Sequence, residues 1–187
     1  DVFWGSMMAD LRNFSALEPL RDGLTVTVRA VRPDDKDKIV AAFQALEPAS
    51  VYARFFQHKS ELTAEELREA TELDFENDVA LVTTLGQGGR ETIIGGARYS
   101  AFAEADGQRA AEIAFTVEED YQGQGIASAL LRHLTRIGRE RKVTRFRADV
   151  LANNSAMLGV FERSGLPMSA RRDSEVIHVI LDLGEGS

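Results

Sequence analysis

Residues 111–128 read Ala111-Glu-Ile-Ala-Phe-Thr-Val-Glu-Glu-Asp-Tyr-Gln-Gly-Gln-Gly-Ile-Ala-Ser128, and the fold follows from how they divide. An apolar strand over 110–117 ends at Val117, and a polar stretch crosses to Gln122. Gly123 and Gly125 then open a helix, which Ile126, Leu130, Leu134 and Ile137 carry at helical spacing to about Glu140. A strand over 144–151 follows with no tight turn before it. Strand, helix, strand in this order is a parallel crossover.

Working outward toward the N-terminus, 79–85 (VALVTTL) and 92–102 are strands separated by the turn 86–90, and Asp106-Gly107 reverses the chain into the 110–117 strand. Short turns between consecutive strands predict an antiparallel meander. Further out, 24–31 reads LTVTVRAV, with Leu24, Val26, Val28 and Ala30 alternating against Thr25, Thr27 and Arg29, the pattern of a half-buried strand. Arg32-Pro33-Asp34-Asp35 begins a helix that carries Ile39, Val40, Phe43 and Leu46. A second short segment, 50–56, keeps Val51, Tyr52 and Phe55 on one side, and Thr63-Ala-Glu-Glu66 is a capping box for a helix to Leu73. Toward the C-terminus, a helix over 154–163 precedes an antiparallel pair, 167–171 and 175–183. The sum is an α/β (mixed α+β) fold, with a six- to seven-stranded mixed sheet flanked by helices. In it the 110–117 strand is the fourth and the 144–151 strand the fifth.

At 187 residues and 20.6 kDa the chain has the length of one domain. A hydrophobic fraction of 44% and a charged fraction of 28% are globular values, and exclude a disordered, collagenous or coiled-coil chain. Without cysteine there is no disulfide, thiolate metal site or cysteine nucleophile, and the 3 histidines, His58, His133 and His178, are too far apart in sequence to form a spaced ligand pair, so no metal is expected. A net charge of −8 argues against nucleic-acid binding and suits a basic partner. No apolar run is long enough for a membrane span and no signal-peptide pattern is seen, so a cytoplasmic location is expected. Gly5-Ser6 ahead of Met7 reads as a cloning scar, so 1–6 is set apart from a single domain over 7–187 with its core at 24–183.

Glycines at a helix start let an anion approach unpaired main-chain N–H groups at the positive end of the helix dipole, as a diphosphate requires. A bare G-x-G also occurs in loops that bind nothing. A dinucleotide-binding loop of the G-x-G-x-x-G type, with Asp149 as the ribose-binding acid, would make the chain a nicotinamide-dependent oxidoreductase. Against it, Ser128 stands at the third glycine position and 118–122 separates strand from glycine.

Gln122-Gly-Gln-Gly125-Ile-Ala127 resembles the acetyl-CoA loop Q/R-x-x-G-x-G/A of the GNAT family, the Gcn5-related N-acetyltransferases, and fits at all its fixed positions. Val150-Leu-Ala-Asn-Asn154-Ser-Ala-Met-Leu-Gly-Val-Phe-Glu-Arg-Ser-Gly165-Leu166 is similar to the family's second motif, and Arg29-Ala-Val-Arg-Pro33 to its first strand. Ser50-Val-Tyr-Ala-Arg-Phe-Phe56 resembles the bacterial protein-lysine acetyltransferase branch, in which the domain is often fused to a larger enzyme or a nucleotide-sensing module; within these 187 residues neither is expected.

The resemblance implies that strands four and five splay at a bulge and that acetyl-CoA is the cosubstrate. Its pantetheine arm would lie in the gap along the main chain of Phe115, Thr116 and Val117, and its diphosphate on Gly123, Gln124, Gly125, Ile126, Ala127 and Ser128. Gln122, Asn154 and Phe161 complete the implied cofactor set. Asn154 approaches the pantetheine or sulfur end, and can serve as a helix N-cap as well.

The resemblance also implies a primary amine as acceptor, on a small molecule or a protein lysine. A lysine with pKa about 10.4 is protonated at neutral pH, so a base must take its proton. Glu112 holds the position that related protein acetyltransferases use for this base, and a glutamate in an apolar strand invites a reason; a solvent-facing role is the alternative. Asp149, five residues before Asn154, is the rival. The position where many members carry an acidic tyrosine is Phe161, so the leaving thiolate takes its proton elsewhere or leaves without one; Tyr52 or Tyr121 would have to fold close to supply it. His58 reads as an exposed loop residue, His133 as the polar flank of the long helix, and His178 as structural. The basic cluster Arg132 to Lys142 and the acidic run over 61–78 read as solvated faces. An N-acetyltransferase is the leading reading, with no nucleic acid or membrane partner, and a homodimer is compatible with it. A non-catalytic acyl-CoA-binding sensor of the same fold is the alternative.

Overall fold

The computed structural model describes residues 11–184; the set-apart segment 1–6 and the start of the domain lie outside the described residues. Strand β5 (Arg109–Val117) and strand β6 (Arg145–Leu151) run parallel because helix α4 (Ile126–Glu140) carries the chain back between them. Every other neighbour pair is antiparallel. The meander β2 (Thr25–Ala30), β3 (Asp78–Leu85) and β4 (Thr92–Ala103) leads into β5, and β8 (Val176–Asp182) pairs with both β6 and β7 (Met168–Asp173). With β1 (Ser15–Pro19) at one edge, the sheet has eight strands in the order β1-β2-β3-β4-β5-β6-β8-β7.

Three helices lie between β2 and β3. Helix α1 (Lys36–Ala45) follows a 3-10 turn over Pro33–Asp35, α2 (Pro48–Phe55) has Pro48 in its first turn, and α3 (Ala64–Thr71) is capped by Thr63. The α3 capping box forms as the sequence implies: Thr63 Oγ1 accepts from Glu66 N at 3.1 Å, and the Glu66 carboxylate accepts from Thr63 N at 3.1 Å. Helix α5 (Ser155–Glu162) follows β6.

The helices divide between the two faces of the sheet. A Cβ on Gly95 would meet Ile126 at 3.4 Å, Gly138 lies against Phe146, and Phe161 of α5 meets Phe115 edge to face at 5.9 Å. Strand alternation therefore puts Gly95, Ala97, Tyr99, Ile113, Phe115, Val117 and Phe146 under α4 and α5. Arg98 reaches Glu69 O at 3.2 Å, so Arg98, Ser100, Glu112, Ala114 and Thr116 face α1, α2 and α3. Leu130, Leu134 and Phe146, each 0% exposed, form the centre of the core beneath α4. Truncating such a side chain costs about 2–5 kcal/mol.

Several expectations need correction. The strand count is eight rather than six or seven, because β1 has no alternation to announce it: it reads SALEP, and Leu17 is 73% exposed on the outermost strand. The β2 alternation holds for Val26, Val28 and Ala30, but Leu24 is exposed and Arg29 is buried. Arg29 forms a fork with Asp35 (2.8 and 2.9 Å) and reaches Glu91 at 2.8 Å. His133 is buried too, with its Nε2 2.6 Å from Glu18 of β1. The splay is present, since β5 and β6 pair only at Ala110–Arg145, Ala111–Phe146 and Glu112–Arg147. No bulge accompanies it: the β4–β5 ladder is regular, and the register shift lies between β3 and β4 at Thr83/Thr84.

Candidate active site

Beyond the last shared rung, β5 and β6 open a cleft of about 1020 Å³. Its walls come from β5, β6, the start of α4, α5 and α2. Two hydrogen bonds fix which edge of β5 faces it. Thr144 N donates to Arg109 O on the β6 side, and Glu118 N donates to Ile94 O on the β4 side. Alternation between them turns the N–H and C=O groups of Ile113, Phe115 and Val117 toward the gap. Thr116 departs from the expectation: its main chain faces β4, opposite Gly96, and it lines the cleft without offering its amide to it.

At the mouth, Gly123 (φ 81°) and Gly125 (φ 99°) adopt left-handed conformations that residues with a Cβ rarely accept. Among the described residues, none of the six consecutive N–H groups from Gly123 to Ser128 has a protein acceptor; the first bond of α4 runs from Ala129 N to Gly125 O. Six free donors at the positive end of a 15-residue helix are the kind of donor set that an anion such as a diphosphate requires. The acetyl-CoA expectation therefore fits the residues present: an extended slot with an unpaired strand edge for amides, ending in donors for phosphate.

Gln122 closes the loop, its Nε2 donating to Val117 O at 3.0 Å. The Gln124 side chain turns away from the cleft and accepts from Asp22 N at 3.0 Å. Ile126, Ala127 and Ser128 line the mouth. Asn154 caps α5, accepting from Met157 N at 3.2 Å through Oδ1, which leaves Nδ2 available on the cleft wall. Phe161 is 1% exposed and serves as core beneath Phe115.

The face toward α2 carries the acid–base groups. Glu112 lines the cleft, exposed, with no hydrogen bond or ion pair to its carboxylate among the described residues. Asp149 also lines it, and Asp149 Oδ1 lies 2.5 Å from His178 Nδ1; His178 Nε2 is 3.7 Å from Asp173. His178, read from sequence as structural, is thus the partner of a candidate base. His58 is exposed as expected, yet it stacks on Tyr52 at 5.1 Å, and both line the cleft with Tyr121. Arg54 lies in the same wall, over the Phe55 ring at 4.9 Å. Burial first, and the neighbouring Arg98 charge second, hold its pKa below the usual value.

Sequence reasoning missed Arg21. It lines the cleft from the β1–β2 turn, and no spacing rule connects it to a loop a hundred residues on. The described residues hold no cluster of three or more potential metal ligands, and none of their helices is long and apolar enough to cross a membrane.

The model of the acetyltransferase (GNAT) family matches residues 44–166. The chain is 30% identical over 141 residues to acetyltransferase PA5475 of Pseudomonas aeruginosa, covering 75% of this chain and 74% of that protein. It is 32% identical over 164 residues to acetyltransferase Pat of Mycolicibacterium smegmatis, covering 88% of this chain and 47% of that protein, so it spans about half of that relative. Among solved structures, the GNAT domain of S. lividans PAT superposes with a TM-score of 0.80 at 34% identity, covering 90% of this chain and 96% of that one.

Proposed function

The chain belongs to the acetyltransferase (GNAT) family and is an acetyl-CoA-dependent N-acetyltransferase, and from that premise we propose that it acetylates a primary amine, a protein lysine in particular, by direct attack with Glu112 as general base. Family membership sets aside the nicotinamide reading. The observation that carries the proposal is the place of Glu112: its carboxylate lines the cleft at the fork of β5 and β6 and is committed to no other residue among those described. It faces α2, while Phe115 and Val117 point under α4 and α5, so the acceptor reaches the gap from one face of the sheet and the proton is taken on that face.

The residues divide the work as follows. The N–H groups of Gly123 to Ser128 hold the diphosphate, and the free edge of Phe115 with the Val117 N–H orients the pantetheine arm as an added strand would lie. Glu112 accepts the proton from the amine nitrogen, directly or through one water. Phe161 has no hydroxyl, which leaves Tyr52 and Tyr121 as the phenols in the cleft wall able to protonate the departing sulfur. Glu112 and Asp149, joined by Asp173 beside His178, favour a cationic acceptor.

The test is an assay of thiol release from acetyl-CoA with a panel of lysine peptides and small amines, with mass spectrometry of the products. Acetylated lysine peptides as the best products support the proposal. Turnover confined to small amines would remove the protein-lysine reading and leave the amine-acetylation reading standing.

A further inference from the structure

The hairpin of β1 and β2 lies outside residues 44–166, the part that the family model matches, yet it is bonded to the phosphate loop. Its turn closes through Leu20 N to Leu24 O at 2.7 Å and Gly23 N to Leu20 O at 3.1 Å. Three hydrogen bonds leave this turn for the loop. Arg21 Nη1 donates to Gly123 O at 3.1 Å, Arg21 N donates to Gln124 O at 3.2 Å, and Asp22 N donates to Gln124 Oε1 at 3.0 Å. The hairpin itself is fixed to α4: Glu18 accepts from Arg132 at 2.6 Å and lies 2.6 Å from His133 Nε2.

In a trans peptide the carbonyl and the following N–H point in opposite directions. A bond that draws the Gly123 carbonyl toward the hairpin therefore turns the Gln124 N–H away from it, and a bond on the Gln124 carbonyl does the same for the Gly125 N–H. Both are among the donors without a protein acceptor. Glycine gives the loop its shape, but it also lets peptides flip, and a flipped peptide would present a carbonyl to the phosphate.

We propose that Arg21 is a positioning residue for the cosubstrate: its side chain pins the Gly123 carbonyl, beside the main-chain bond that holds the Gln124 carbonyl, so that the N–H groups of Gln124 and Gly125 face the diphosphate, and its guanidinium adds positive charge at the cleft wall. The proposal rests on the assignment of the 123–128 loop to the diphosphate.

Arg21→Met and Arg21→Lys test it with two acetyl donors, acetyl-CoA and S-acetylpantetheine, which has the same thioester and no diphosphate. Arg21→Met is expected to raise KM for acetyl-CoA about tenfold, the worth of one hydrogen bond to a charged group, with kcat retained. It should leave kcat/KM for S-acetylpantetheine unchanged, and Arg21→Lys should recover part of the loss. Gln124→Met, which removes the acceptor for Asp22 N, is expected to shift KM in the same sense. An equal loss with both donors would reduce Arg21 to a structural role, and no change with either would overturn the proposal. A wild-type protein that used both donors equally would instead remove the diphosphate assignment beneath it.

Discussion

Glu112 of β5 stands opposite Arg147 of β6 on the last rung that the two strands share. Arg147 is engaged by Glu104, with its Nε 2.6 Å from that carboxylate, so the cation nearest along the ladder is neutralised by another acid. Glu112 is therefore held at the fork by its strand alone and remains available as a proton acceptor.

Replacing Glu112 with Gln keeps the shape and removes the base. The expected result is a fall in kcat of roughly 10²–10⁴-fold with acetyl-CoA affinity retained, measured by steady-state kinetics and calorimetry. Asp149→Asn should cost far less. The reverse order would transfer the base to the Asp149–His178 pair.

Gly125 sits at φ 99° with nothing within 4 Å of a built Cβ, so backbone strain rather than collision opposes a side chain there. Gly125→Ala should cost about 1–2 kcal/mol in loop conformation and weaken acetyl-CoA binding more than it weakens folding. Comparing the melting temperature with and without acetyl-CoA separates the two.

Acetyl-CoA at about a hundred times its dissociation constant should add about 2.7 kcal/mol of stability, a rise of roughly 5–10 °C for a domain this size. NAD should give none. A rise with NAD and none with acetyl-CoA would count against the loop assignment.

Arg29 joins Asp35 and Glu91 in the interior, with side-chain exposures of 7%, 1% and 13%. Arg29→Met leaves the buried Asp35 without its cation and Glu91 with Lys38 alone, and should cost about 3–5 kcal/mol, seen as a lower denaturant midpoint. The same cluster sets an acid limit. The Arg29 guanidinium, with burial opposing and Lys38 assisting, holds Glu91 down to about 2. Burial pushes Asp35 up, and Arg29 with the Arg32 N–H outweighs it, so Asp35 is also lowered. A carboxyl lowered by folding contributes stability above its unfolded pKa and loses it as pH falls through the folded one. Stability should therefore decline from about pH 4.5 toward pH 2, and Glu91→Gln should flatten that decline.

What was legible in the sequence was whatever is written locally. The Thr63–Glu66 box, the glycines of the loop and the Asn154 cap each depend on neighbours a few residues apart, and each folds as its spacing implies. What was hidden depends on register between distant strands. Asp149 meets His178 only because β6 pairs antiparallel with β8 in that alignment. Arg29 looked like the polar phase of a half-buried strand, since nothing in its own segment announces Glu91, which comes 62 residues later. Gln124 read as part of the diphosphate set and Arg21 as nothing in particular; that the Gln124 side chain instead meets the β1–β2 turn depends on β1, whose text carries no apolar alternation.

A sheet that parts after three rungs keeps an open edge in its own interior. At the rim of a sheet such an edge recruits other chains and invites aggregation. Here the edge lies at the bottom of a slot, and with neighbouring strands about 4.8 Å apart, closing both sides of it leaves room for one extended molecule. A narrow arm with two amides matches such an edge in length and in hydrogen-bonding groups. Deuterium uptake should report this directly: the amides of Phe115 and Val117 should exchange quickly in the free protein and slowly once the arm is in place.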